Sequence, residues 1–170
     1  RKIKFSGFYK ILFYLPAICT STIVGTVFSK IFETNRGYLN VILRALHLDF
    51  LCQQWLATPK TALACLLFVN IWQWTGYSML MYYTNMLNIP QDLYESATID
   101  GAGSFKQFIY ITFPLLRGTH ITLIILDILG ALKFFDLSYV LTDGGPAHAT
   151  ETFSTYIYTK SFSTFQQGQA

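Results

Sequence analysis

Two long stretches of this chain carry no charge at all: residues 11–29 and 61–91 contain no Asp, Glu, Lys or Arg. A third, 107–132, is interrupted only by Arg117 and Asp127. A helix needs about 20 mainly apolar residues to cross roughly 30 Å of hydrocarbon, and three segments of this chain meet that requirement. Composition agrees, because only 12% of the 170 residues are charged, against about 25% in an ordinary soluble domain. A disordered tail, a disulfide-stapled secreted module and a charge-rich nucleic-acid binder are excluded. The expected fold class is an all-α polytopic membrane protein, a helical bundle with three full spans and a C-terminal stub.

The net charge of +3 is too small to imply a polyanionic partner. Cys19, Cys52 and Cys65 show no CxxC spacing and read as small apolar residues rather than metal ligands or disulfides. Arg1, Lys2, Lys4 and Lys10 precede the first apolar run, and positive flanks stay cytoplasmic. The spans are therefore expected at about 9–32 (outward, with Pro16 near its start), 61–87 (inward) and 114–136 (outward). Residues 33–60 and 137–155 are then external, with a turn at Asn35–Gly37, a short interfacial helix over 39–48 and a firm turn at Asp143–Pro146.

Between the second and third spans lies a cytoplasmic loop, 88–113. Pro90 is suited to opening a helix whose early acids, Asp92 and Glu95, favour its positive end, and Gly101 and Gly103 allow a sharp bend before a second short helix. No Walker loop, HExxH or GxSxG motif is present. A membrane hydrolase would also lack any nucleophile–base pair at workable spacing. ATP-driven transport would thus require another chain to hydrolyse the nucleotide.

The loop reads Glu95-Ser96-Ala97, three residues, Gly101, nine residues, Ile111, one residue, Phe113-Pro114. This resembles the coupling loop of permease subunits in binding-protein-dependent ABC importers, whose pattern is Glu-Ala-Ala, three residues, Gly, nine residues, Ile, one residue, Leu-Pro. Ser96 and Phe113 depart from it modestly. The resemblance extends to Phe13–Pro16, Gly37–Asn40, Trp55-Leu56, Phe135–Thr142, Gly144–Pro146 and Ala149-Thr150, the later group being similar to the sugar-importing branch. It implies that Glu95, Ser96, Ala97, Asp100, Gly101, Ala102 and Pro114 serve ATPase coupling. It further implies a second permease subunit, two ATPase subunits that bind ATP and Mg, and an extracytoplasmic solute-binding protein meeting the external segments. This chain would hold no cofactor, bind no nucleic acid, and sit in lipid in the bacterial inner membrane as a multi-pass protein. The family has one more span after the GGP segment and usually two before the first, so an incomplete permease is expected.

On a helical wheel, Asn70, Gln73, Trp74, Tyr77, Met81, Thr84 and Asn88 share one face of the second span. Polar groups in hydrocarbon favour the bundle interior, so Gln73, Trp74 and Tyr77 are expected to line a solute path; polar glue between helices is the competing role. The resemblance assigns sugar contacts to Trp72 and Tyr77, about 140° apart on the wheel, which would require Gly76 to loosen the helix. Asp127, the one acid deep in a span, needs a partner or a wet cavity. The resemblance aligns it with a small polar solute-contacting residue, whereas an ion pair with Lys133, Arg117 or a partner subunit is the structural alternative. His120 lies on the same face as Asp127 but about 10.5 Å along it, too far for a direct bond. A proton-coupled secondary transporter using Asp127 and His120 is the rival function.

Overall fold

The structure, a computed structural model, describes residues 6–163 and Gly168. Arg1, Lys2 and Lys4, on which the orientation was argued, lie outside the described residues. Ten α-helices follow in order: α1 (Ser6–Ile18), α2 (Ser21–Ile31), α3 (Tyr38–Ala45), α4 (Pro59–Met86), α5 (Gln91–Ile99), α6 (Ser104–Gln107), α7 (Phe113–Leu115), α8 (Arg117–Leu132), α9 (Asp136–Thr142) and α10 (Phe153–Tyr158). A π-helical turn, Phe108–Thr112, joins α6 to α7, and another follows α10. Among the described residues there is no strand.

The long central helix is α4, whose 28 residues extend about 42 Å. Thr58 precedes it and Pro59 occupies its first turn, where a missing N–H costs nothing. Its buried stripe is Ala62, Cys65, Leu66, Val69, Gln73 and Gly76, which follows the i, i+3, i+4, i+7 pattern of one helical face. Val24 and Phe32 of the α2 region and Leu137 and Leu141 of α9 close over Cys65, Leu66 and Val69 to make the core. At Gly76 the α1 backbone crosses so closely that a Cβ would lie 1.8 Å from the Phe13 carbonyl oxygen. Gly76 therefore serves close approach, and α4 runs unbroken through it, so the loosening that a joint role for Trp72 and Tyr77 would require is absent.

Neither outer span is a straight helix. Among the described residues no single helix is both long and apolar enough to cross a membrane, but two bent pairs meet that test by length and composition. Gly7–Ile18 and Ser21–Ile31 meet at 95°, and Ser104–Leu115 and Arg117–Leu132 meet at 63°. The first break falls at Cys19–Thr20, just after Pro16 has removed one backbone donor from α1. Gln73 plugs it: Nε2 donates to the Cys19 carbonyl at 3.1 Å and lies 3.5 Å from Ser21 Oγ. Lys10 Nζ rests 3.5 Å from the Tyr83 ring centroid, so the start of α1 and the end of α4 lie on one side of the molecule.

The opposite end is built from hydrogen-bonded loops. Asn40 is buried on α3 and bonds to Thr34, Gln53 and Trp55. After α9 the chain reverses through left-handed Asp143 and Gly144, at φ 51° and 75°, as the Asp143–Pro146 turn signal anticipates. Ser138 Oγ donates to the Thr150 carbonyl at 2.6 Å and Thr150 Oγ1 to the Gly145 carbonyl at 2.7 Å, which fixes the loop to α9. The three cysteines are free, Cys65 buried and the others half-buried.

Candidate functional site

The loop 88–113 folds as a helix–turn–helix that projects from the bundle. Pro90 caps α5, with Asp92 in its first turn. The α5 helix ends where Gly101 takes φ +75°, a conformation that costs other residues roughly 1–2 kcal/mol. Gly103 has φ −69° and simply precedes α6, so the bend belongs to Gly101 alone. The Ala102 N–H donates to the Ala97 carbonyl at 2.9 Å and the Asp100 N–H to the Ser96 carbonyl at 3.0 Å. Gln107 Nε2 donates to Thr98 Oγ1 and to the Ala102 carbonyl, at 2.9 and 3.0 Å, which ties α6 back onto the turn. Tyr94 Oη lies 2.8 Å from Thr112 Oγ1 and fastens α5 to the π turn.

Within this frame Ala97 and Ala102 are half-buried and build the turn, while Glu95, Ser96 and Asp100 are exposed. Pro114 is exposed in α7, beside the 63° elbow. Two residues missed by sequence reasoning are Ile99 and Phe105, 87% and 76% exposed on either side of the Gly101 turn. Both large apolar side chains stand clear of the chain's own packing at the turn. Their position flanking the glycines in an otherwise polar loop was the available signal.

The polar face of α4 is divided by the fold. Gln73 is 1% exposed and faces α1 and α2, not open space; its amide is spent on the helix break, with Oε1 buried and unpartnered. Interhelical bonding is the role the geometry gives it. Asn70 is half-buried. Trp74, 45% exposed, meets Tyr77 edge to face at 6.1 Å, and this pair stands apart from the packing stripe. Trp72, about 200° around from Trp74, packs edge-on against Phe28 of α2 at 5.2 Å. The two tryptophans therefore serve different sides of α4.

Asp127 opens onto a cleft between α4 and α8 of about 460 Å³, lined by Ser78, Tyr82, Phe113, His120, Leu123, Ile124 and Asp127. Its proposed pairing with Lys133 or Arg117 is absent, since the ion pairs among the described residues are Lys30–Glu33 and His148–Glu151. His120 shares the cleft but is already bonded through both ring nitrogens, to Tyr82 Oη at 2.8 Å and to the Phe113 carbonyl at 3.2 Å. Those partners leave no free nitrogen for a relay to Asp127. The cleft thus unites Asp127 with Ser78 and Tyr82, whereas Trp72, Gln73, Trp74 and Tyr77 lie outside it.

The chain belongs to the family described as binding-protein-dependent transport system inner membrane component, which matches residues 4–166. It is 36% identical over 167 residues to the probable ABC transporter permease protein YurN of Bacillus subtilis (strain 168), covering 98% of this chain and 57% of that protein. It is 32% identical over 163 residues to the lactose transport system permease protein LacF of Rhizobium radiobacter, covering 95% and 54%. The fold matches a chain of a bacterial alginate ABC transporter, solved in complex with an alginate pentasaccharide-bound periplasmic protein, with a TM-score of 0.83 and 25% identity over 96% of this chain and 58% of that one. The chain thus spans a little over half the length of the relatives it matches.

Proposed function

We propose that this chain forms the core of a transmembrane subunit of an ATP-driven importer, carrying a sugar or oligosaccharide across a bacterial inner membrane. The observation that carries the reading is the loop 88–113: a rigid helix–turn–helix on a permease-family fold, with Glu95, Ile99 and Phe105 turned away from the chain's own core. In this reading it seats in an ATPase subunit, Glu95 supplying charge and Ile99 and Phe105 apolar contact, while Gly101 sets the angle between the two helices. Nucleotide hydrolysis, with its ATP and Mg, belongs to two copies of that separate subunit, and the chain itself catalyses no reaction.

A second permease subunit completes the pathway, and an external solute-binding protein meets 33–60 and 137–155. The two bent pairs supply membrane crossings, and α4, too polar to qualify alone, crosses packed against α1. Trp74 and Tyr77 offer aromatic faces to a sugar, and Asp127 offers carboxylate oxygens from the cleft between α4 and α8. Support for a sugar comes from the lactose permease relative and the alginate transporter fold.

The test is Glu95→Lys in the complete transporter. The variant is expected to lose ATPase co-purification and ATP-dependent uptake together. Retention of both would overturn the reading.

A further inference from the structure

The elbow between α7 and α8 interrupts a helical hydrogen-bond ladder. Leu116, at φ −86° and ψ 9°, leaves the helical region, and the flanking segments diverge by 63°. Carbonyls ahead of such a break lose their partner four residues on. The Phe113 carbonyl is bonded instead by His120 Nε2 at 3.2 Å. A carbonyl can only accept, so Nε2 carries a proton, and in the neutral imidazole Nδ1 then presents its lone pair. That lone pair accepts the Tyr82 hydroxyl of α4 at 2.8 Å. The imidazole also packs on both neighbours, 4.6 Å from the Phe113 ring and 5.3 Å from the Tyr82 ring.

One side chain of α8 thus joins α7 to α4. The far side of α7 is equally tied, because Tyr94 of α5 bonds Thr112, the residue before Phe113. An unbroken run of contacts therefore leads from the projecting α5 through Thr112, Phe113 and His120 to Tyr82 on the central helix. We infer that His120 is a positioning residue that passes displacement of the coupling segment to α4 through the Phe113 carbonyl and the Tyr82 hydroxyl. The inference rests on the coupling reading proposed above.

The test uses the complete transporter in lipid vesicles, with Cys19, Cys52 and Cys65 replaced by alanine and Lys60→Cys, exposed at the start of α4, as reporter. The labelling rate by a membrane-impermeant maleimide is compared with and without a non-hydrolysable ATP analogue. With His120 and Tyr82 intact, the analogue changes the rate. Tyr82→Phe and His120→Phe each keep the ATPase bound but shrink that change about threefold to tenfold, the worth of one neutral hydrogen bond. The double variant is no worse than either single one, and His120→Gln, which retains one donor and one acceptor, restores most of the response.

A full response in Tyr82→Phe would overturn the inference, and so would one rescued by Phe rather than Gln at position 120, which would mean ring packing alone. Failure of the underlying coupling reading looks different: Glu95→Lys then retains its ATPase.

Discussion

The indole N–H of Trp55 donates to the Asn40 carboxamide oxygen at 2.8 Å, joining two residues 15 positions apart. The amide nitrogen of Asn40 completes the knot, donating to the carbonyls of Thr34 at 2.9 Å and Gln53 at 3.1 Å. Asn40 is 1% exposed and its three bonds are part-buried, so its removal leaves three groups without their partner. Asn40→Ala is expected to lower stability by about 1–3 kcal/mol, and Trp55→Phe by less, because only one acceptor is then orphaned. Thermal melting of the purified complex checks the order; an Asn40→Ala variant that melts like the parent contradicts it.

Gly76→Ala tests the α1–α4 crossing. The added methyl meets the Phe13 carbonyl oxygen and neighbouring backbone, which cannot swing aside as a side chain would. A loss of about 1–3 kcal/mol is expected from overpacking. Gly130→Ala on α8 is the control, since nothing lies within 4 Å of its added carbon. That change is expected to be neutral or to stabilise by up to about 1 kcal/mol through helix propensity. Equal melting shifts for the two variants would refute the crossing.

The loop 88–113, in its proposed coupling role, offers a similar contrast. Gly101→Ala strains a residue at φ +75°, whereas Gly103→Ala meets no neighbour at φ −69°. ATPase co-purification should weaken several-fold for the first and stay unchanged for the second. Loss in both would mean that the turn is not set at Gly101.

Asp127→Asn separates contact with solute from structural pairing. Removing one partner of a buried ion pair costs about 3–5 kcal/mol, but Asp127 has no ion-pair partner among the described residues. Melting is therefore expected to hold while uptake falls. Uptake by the parent protein should survive collapse of the proton gradient and stop on ATP depletion. The reverse pattern would favour proton coupling instead.

Much of this arrangement was legible in the chain itself. The uncharged run and Pro59 locate α4 to within two residues of the expected 61–87, and the Asp143–Pro146 turn falls where its residues demand. The loop helices flank Gly101 because only glycine meets that φ without strain. What composition did not reveal was straightness. An apolar run records affinity for hydrocarbon, yet the breaks at Cys19 and Leu116 are held by Gln73 and His120, side chains more than 50 positions away or on the next helix. The wheel likewise grouped Gln73 with Trp74 and Tyr77 by angle, a face the fold divides. It could not tell a face turned to α1 and α2 from one turned to a cavity, because periodicity fixes relative directions only.

The first bent pair has a consequence for how such a chain is made. Its two arms have different partners: α1 lies against α4, while the inner face of α2, with Val24, is closed by Leu137 and Leu141 of α9. Those residues leave the ribosome more than a hundred positions after α2. Until then the α2 face has only the part of its cover that α4 brings through Cys65, Leu66, Val69 and Trp72. Termination before α9 would leave the remainder of this surface bare.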